Sequence, residues 1–137
     1  MRQFTTTTLM VLALLLAGCG GGGAAATATA EQITAALTAA GAQNVKAEAL
    51  PADSPVPNSA SAHYVFEVPS VAPKGGQVFV CSTKQNCDAI YAYFDALKAL
   101  AGPYLYRSPS GAVVAQLNSG LDAATADTFK AAIEKLP

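Results

Sequence analysis

With 137 residues, 12% of them charged, and a formal net charge of −1 at pH 7, the chain lacks the basic excess that nucleic acid or anionic lipid headgroups require of a partner. One histidine and three cysteines leave little from which to build a metal centre or a convergent cluster of ionisable groups, so no cofactor, metal or catalytic set is expected. The length suits one domain with a single core.

The first predicted element is an export segment. Arg2 and the threonines from Thr5 to Thr8 precede an apolar run, Leu9 to Leu16, of eight residues, the length of a signal-peptide core. A membrane-spanning helix needs about 20 apolar residues, and this run ends at Gly18 and a glycine tract. Leu16-Ala17-Gly18-Cys19 places small residues directly before a cysteine and resembles the lipobox of bacterial lipoproteins.

That resemblance implies that residues 1–18 are a signal peptide and that Cys19 is the lipidated first residue of an exported protein. The anchor would hold it on the cell membrane or the outer membrane, and the membrane would be a partner through that anchor alone. The competing reading is an ordinary secretory signal that leaves Cys19 a free thiol. Acyl chains contribute about 0.8 kcal/mol per buried methylene, so two or three chains, palmitate among them, anchor stably where one does not. Residues 19–30 are glycine, alanine and threonine apart from Cys19 and read as a flexible tether that spans on the order of 20 Å.

A single domain is expected over residues 31–137. Over those residues it carries seven basic residues against nine acidic ones, a net charge of −2. Glu31 to Ala40 has Ile33 and Leu37 at helical spacing, Thr29 and Gln32 spaced as a capping box, and Gly41 where a helix ends. Val45 to Leu50 alternates as a strand, and Pro51 to Ser61, rich in proline and serine, reads as a loop. His63 to Val68 is a second strand, with Tyr64, Phe66 and Val68 on one face and His63, Val65 and Glu67 on the other. A turn through Pro73 to Gly76 leads to a third strand, Val78 to Cys81.

Asp88 to Leu100 carries the stripe Ile90, Phe94, Leu97 and Ala101, with Asn86 as the expected cap and Gly102-Pro103 as the stop. Tyr104 to Arg107 and Ala112 to Leu117 flank Ser108-Pro109-Ser110-Gly111 as a hairpin. A last helix runs from the cap Asp122 to Leu136, with Ala126, Phe129, Ile133 and Leu136 facing inward.

The order α-β-β-β-α-β-β-α predicts an α+β two-layer sandwich. A mainly antiparallel five-stranded sheet would be covered on one face by three helices, and the alternating strands would leave the other face comparatively open. The segments from Gly76 to Val80, with Tyr106, from Gly111 to Leu121, and with Ala126 and Phe129, resemble the C-terminal half of small uncharacterised bacterial lipoproteins. This second resemblance covers about half the domain and implies no reaction.

Three features invite chemistry. Cys81 and Cys87 in an exported chain point to a structural disulfide, and the competing reading is a redox pair whose Cys87 lies near a helix N-terminus. His63 lacks partners of metal-ligand spacing and reads as a surface residue, and no Gly-x-Ser-x-Gly elbow accompanies the serines. Tyr104 and Tyr106 share one strand face, and with Tyr64 beside them they form a candidate binding patch on the open side; plain cross-strand packing is the alternative. The function expected is a tethered, non-enzymatic binding or interaction module of the cell envelope, with an envelope protein or a small ligand as its partner. A thiol-disulfide redox protein and a structural envelope protein are the alternatives. The second would favour repeats or heptads, and the chain has neither.

Overall fold

The computed structural model describes residues 27–137. The segment expected to be a signal peptide, the expected lipidation site Cys19 and most of the expected tether lie outside the described residues.

Helix α1 (Ala30–Ala39) starts where Thr29 and Gln32 predict. Gln32 N–H donates to Thr29 Oγ1 at 3.3 Å, and Thr29 N–H donates to Gln32 Oε1 at 2.8 Å. Gly41 takes φ 102°, which lets Ala42 N–H reach back to the Leu37 carbonyl at 3.0 Å.

Five strands follow: β1 (Gln43–Ala47), β2 (Ala62–Glu67), β3 (Gly75–Val80), β4 (Leu105–Arg107) and β5 (Val113–Leu117). They form one antiparallel sheet in the order β1-β2-β3-β5-β4. The connection from β3 to β4 carries α2 (Lys84–Ala96) and a short helix α3 (Lys98–Ala101), and α4 (Ala123–Ile133) closes the chain. Because β5 pairs antiparallel with both neighbours, β4 runs parallel to β3 two places away, as a crossover through a helix allows. The α+β class and the five-stranded antiparallel sheet are those the sequence predicts.

Several boundaries differ from expectation for local reasons. β1 starts two residues early because Asn44 takes φ 52° and the register slips between Gln43 and Lys46, an edge-strand bulge. Ala49 and Leu50 leave the ladder ahead of Pro51. β3 includes Gly75 and Gly76, which sequence reading assigns to a turn. At Gly76 a Cβ would stand 2.7 Å from the Gln116 carbonyl oxygen and 2.8 Å from Phe66 Cζ, so glycine there serves close approach between elements. Helix α2 begins at Thr83 rather than Asn86, because Asn86 N–H donates to Thr83 Oγ1 at 3.3 Å. It ends at Leu97, whose φ of −104° and ψ of 11° separate α2 from α3.

The helices do not share one face. Ile33 and Leu37 of α1 and Phe129 and Ile133 of α4 pack with Tyr64, Phe66, Val78, Val113 and Leu117. Cys87, Ile90 and Phe94 of α2 pack instead with Phe79, Val114 and Leu105, whose side chains leave the opposite side of the strands. The physical reason is β5, where all five residues are buried. A strand apolar on both sides needs cover on both sides.

Phe129 is fully buried and stacks on Phe66 with ring centroids 5.3 Å apart. Phe129→Ala is expected to lower unfolding stability by about 3–5 kcal/mol, read from the midpoint of denaturant unfolding.

Candidate functional site

The cysteines and the histidine that sequence reading singles out, together with several polar groups it passes over, lie on the α2 face of the sheet. Cys81 follows β3 and Cys87 lies in the first turn of α2, with Cα atoms 5.6 Å apart, and the two form a disulfide. Both residues are fully buried, and Cys87 Sγ lies 3.3 Å from the Ala112 carbonyl oxygen. Thiol exchange needs a sulfur that an incoming thiolate can reach, and here both are sealed beneath α2 and β5.

Next to the disulfide, Arg107 on β4 reaches across to α2. Its Nη1 donates to Asp88 Oδ1 at 2.6 Å, its Nη2 to the Cys87 carbonyl at 3.4 Å, and its guanidinium carbon lies 4.4 Å from the Tyr91 ring centroid. Its Nε is buried without a hydrogen-bond partner. Lys84 Nζ donates to both Asp88 oxygens at 3.0 Å. The bonds from Arg107 first, and from Lys84 second, hold the Asp88 carboxyl below its ordinary value of 3.8. The cluster ties β4 to the start of α2 and presents no free nucleophile. Arg107 is the sole arginine besides Arg2, which is the signal that could have marked it.

His63 is buried, contrary to the surface role expected for it. Its Nδ1 lies 3.2 Å from the Glu48 carbonyl oxygen, its Nε2 lies 3.0 Å from Gln77 Oε1, and the ring stacks on Phe79 at 4.7 Å. Gln77 Nε2 in turn donates to Gln116 Oε1 at 3.1 Å, and Gln116 Nε2 donates to the carbonyls of Ala101 at 2.8 Å and Leu117 at 2.6 Å. Neither ring nitrogen faces a serine or a carboxylate, so no triad assembles on this histidine. Sequence reading missed this line of amides, although Gln116 interrupts the apolar run Ala112 to Leu117 and Gln77 directly precedes Val78 to Val80.

The serines of the Ser108–Gly111 segment serve its turn. Val113 N–H donates to Ser108 Oγ at 3.3 Å and Ala112 N–H to Ser110 Oγ at 3.1 Å, while Gly111 takes φ 77°. The three tyrosines lie on the α1–α4 side and not on an open face. Tyr64 is buried, and Tyr104 and Tyr106 are half-buried against the same core, with ring centroids 6.5 Å apart. Tyr104 Oη donates to the Leu121 carbonyl at 3.2 Å, and burial raises the Tyr106 phenol above its ordinary value of 10.0. The packing alternative therefore describes these side chains, and no exposed aromatic patch forms from them.

What α2 leaves uncovered on its face is the β1–β2 edge. One cleft of about 280 Å³ is lined by Glu48, Leu50, Asn58, Ser61 and His63, and a smaller one of about 160 Å³ by Lys46, Val65 and Glu67. A larger shallow depression along the outer side of α1 is lined by alanines, threonines and Glu31 and brings no chemistry together. Among the described residues no cluster of histidine, cysteine and carboxylate side chains could hold a metal ion, and no helix is long and apolar enough to cross a membrane. No protein-family model, curated protein sequence or solved structure matches this chain.

Two expected outcomes follow from the α2 attachment. Replacing Cys81 and Cys87 together by serine should cost about 2 kcal/mol, the unfolded-state entropy of so short a loop, measured by denaturant unfolding under non-reducing conditions. Asp88 is the more acidic in the folded state, so its contribution is complete above the ordinary value of 3.8 and is lost as pH falls through the lower, folded-state value. Asp88→Asn should accordingly flatten the acid limb of the stability–pH curve and leave its slope near neutrality unchanged.

Proposed function

We propose that this chain is a lipid-anchored, exported protein whose domain is a small non-enzymatic binding module held near a membrane surface. The sequence Leu16-Ala17-Gly18-Cys19, set before a tether that ends at the α1 cap Thr29, carries this reading. The Cys81–Cys87 disulfide is in keeping with it, because such bonds persist in oxidising compartments. The redox alternative is weakened by the complete burial of both cysteines, and the ionisable groups beside them, Asp88, Arg107 and Lys84, are consumed in bonds to one another.

The binding surface in this reading is the uncovered β1–β2 edge with the adjoining loop Pro51 to Ser61. It offers Lys46, Glu48 and Glu67 around Val65, a mixed-charge rim around an apolar centre of the kind protein partners use. An envelope protein is favoured over a small ligand because the clefts, about 280 and 160 Å³, are small for enclosing one.

Acyl labelling of cells that express wild type and Cys19→Ala tests the anchor. Label and membrane partitioning should both vanish in the variant, and unchanged labelling would defeat the proposal. A photo-crosslinking residue at Val65 should capture a partner that the same residue at Lys130, on the far side of the sheet, does not.

A further inference from the structure

We propose that the Pro51–Ser61 loop is a strap latched to α2 by one hydrogen bond, and that it swings off the α2 face while the rest of the domain stays folded, gating the β1–β2 edge.

The strap is closed at its roots. Glu48 N–H donates to the His63 carbonyl at 3.0 Å, and Ser61 donates twice to the Val80 carbonyl, from its N–H at 2.7 Å and from Oγ at 2.9 Å. Beyond these bonds the two limbs part. Ala49 and Leu50 on one limb and Asn58 and Ala60 on the other line the cleft of about 280 Å³ between them. A surface loop with its ends held together and its own side chains packed beneath it has the build of an Ω-loop.

Within the strap, local bonds hold a shape of its own. Ser54 N–H donates to the Pro51 carbonyl at 2.9 Å, and Val56 N–H donates to Ser54 Oγ at 3.2 Å. Pro51, Pro55 and Pro57 fix φ at three positions and offer no N–H to the sheet. They also reduce the freedom the segment would gain on release, so it leaves as a unit.

The hold on the rest of the fold is slight. Among the described residues, the bond from Ser59 Oγ to the Asn86 carbonyl at 2.6 Å is the only hydrogen bond that ties residues 51–60 to another element. Val56 and Ala60 add half-buried contacts with the cluster that contains Phe79, Ile90 and Phe94. Segments with few buried contacts and few hydrogen bonds are the ones that open below the cost of global unfolding. Both ends of the latch differ in this respect. Asn86 lies in α2 next to Cys87, which the disulfide ties to Cys81, and β2 pairs with β3 without interruption from Ala62 to Glu67. Movement therefore stops at Ser61. Opening widens the cleft and uncovers the apolar cluster beside Glu48 and His63. That this controls access for a partner rests on the reading of the edge as a binding surface, whereas the motion itself does not.

Native-state proteolysis of the full chain, held in detergent, tests the strap without a partner, so it decides this inference whether or not the crosslinking residue at Val65 captures one. Elastase, which cuts after small residues, is the probe, and the product cleaved between residues 52 and 61 is followed by mass spectrometry. In the wild type the rate of this cut should rise with urea much less steeply than global unfolding does, because little surface is exposed on opening. Ser59→Ala should speed the cut about fivefold, the scale of one neutral hydrogen bond. Ile33→Val, which weakens the core on the opposite face, should leave the rate unchanged. A urea dependence as steep as that of global unfolding would overturn the inference, as would acceleration by Ile33→Val equal to that by Ser59→Ala. An unchanged rate in Ser59→Ala would overturn it too. Should that variant fail to fold, Val56→Ala, which trims the contact beneath the strap, is expected to speed the cut in the same way, and no change there is equally fatal.

Discussion

Every residue of β5 is buried, and the strand stands between β3 and β4. That constraint organises the rest of the domain. Val113, Ala115 and Leu117 point toward α1 and α4, and Val114 points toward α2. An apolar strand in this position loses its stabilisation if either side meets water. The chain must therefore supply helices to both faces, and the crossover through α2 is what takes one helix to the second face. Gly76 answers the same demand, because β3 approaches the Gln116 carbonyl and the Phe66 ring more closely than any side chain would allow.

Within that buried strand one residue is polar, and its position determines the chemistry of the second face. A buried primary amide without partners would be costly. Gln116 is satisfied by carbonyls at the end of α3 and in its own strand, and by Gln77. Those bonds leave it one orientation. The order then propagates from β5 through β3 to His63 on β2, so three strands are joined by side chains as well as by their backbone ladders, and the ring reaches on to the Glu48 carbonyl just past β1. A polar row of this kind also fixes register. A slip of one residue at β3 would move Gln77 to the other face and set an amide among Phe66 and Phe129.

How much of this could be read from the amino-acid sequence depends on the range of the interaction. The Thr29–Gln32 box and the Asp122 cap are contacts three residues apart, and both are found where the sequence places them. The cap of α2 is equally local, yet Thr83 and Asn86 are both cap-forming types, and the sequence alone does not distinguish them. The α+β class was legible from the alternation of strand and helix periods. Which face α2 covers was not, because β4 has three residues and β3 begins with two glycines, too little alternation to show that both sides are buried. Tyr104 and Tyr106 share a strand face as their spacing predicts, and Tyr64 lies on the same side. That side is not open, because α1 and α4 cover it while α2 covers the other. Gln77 and Gln116 are 39 residues apart, and no local pattern records that they meet.

The attachment of α2 then decides where the molecule can meet anything else. On its inner side the helix is held by a disulfide at its first turn and by Arg107, which grips Asp88, the Cys87 carbonyl and the Tyr91 ring together. These contacts cover β4, β5 and the adjoining part of β3, and they consume the domain's most concentrated charge. α1 and α4 cover the opposite face. The sheet surface that remains is the β1–β2 edge, where Lys46, Glu48 and Glu67 stand around Val65 and where the Pro51–Ser61 loop departs. β1 is a poor template for adding a further strand, because Asn44 at positive φ and the register slip beside it interrupt its ladder. A partner at this edge would be recognised through side chains and the loop, and the loop's anchorage runs through the Glu48 carbonyl to His63.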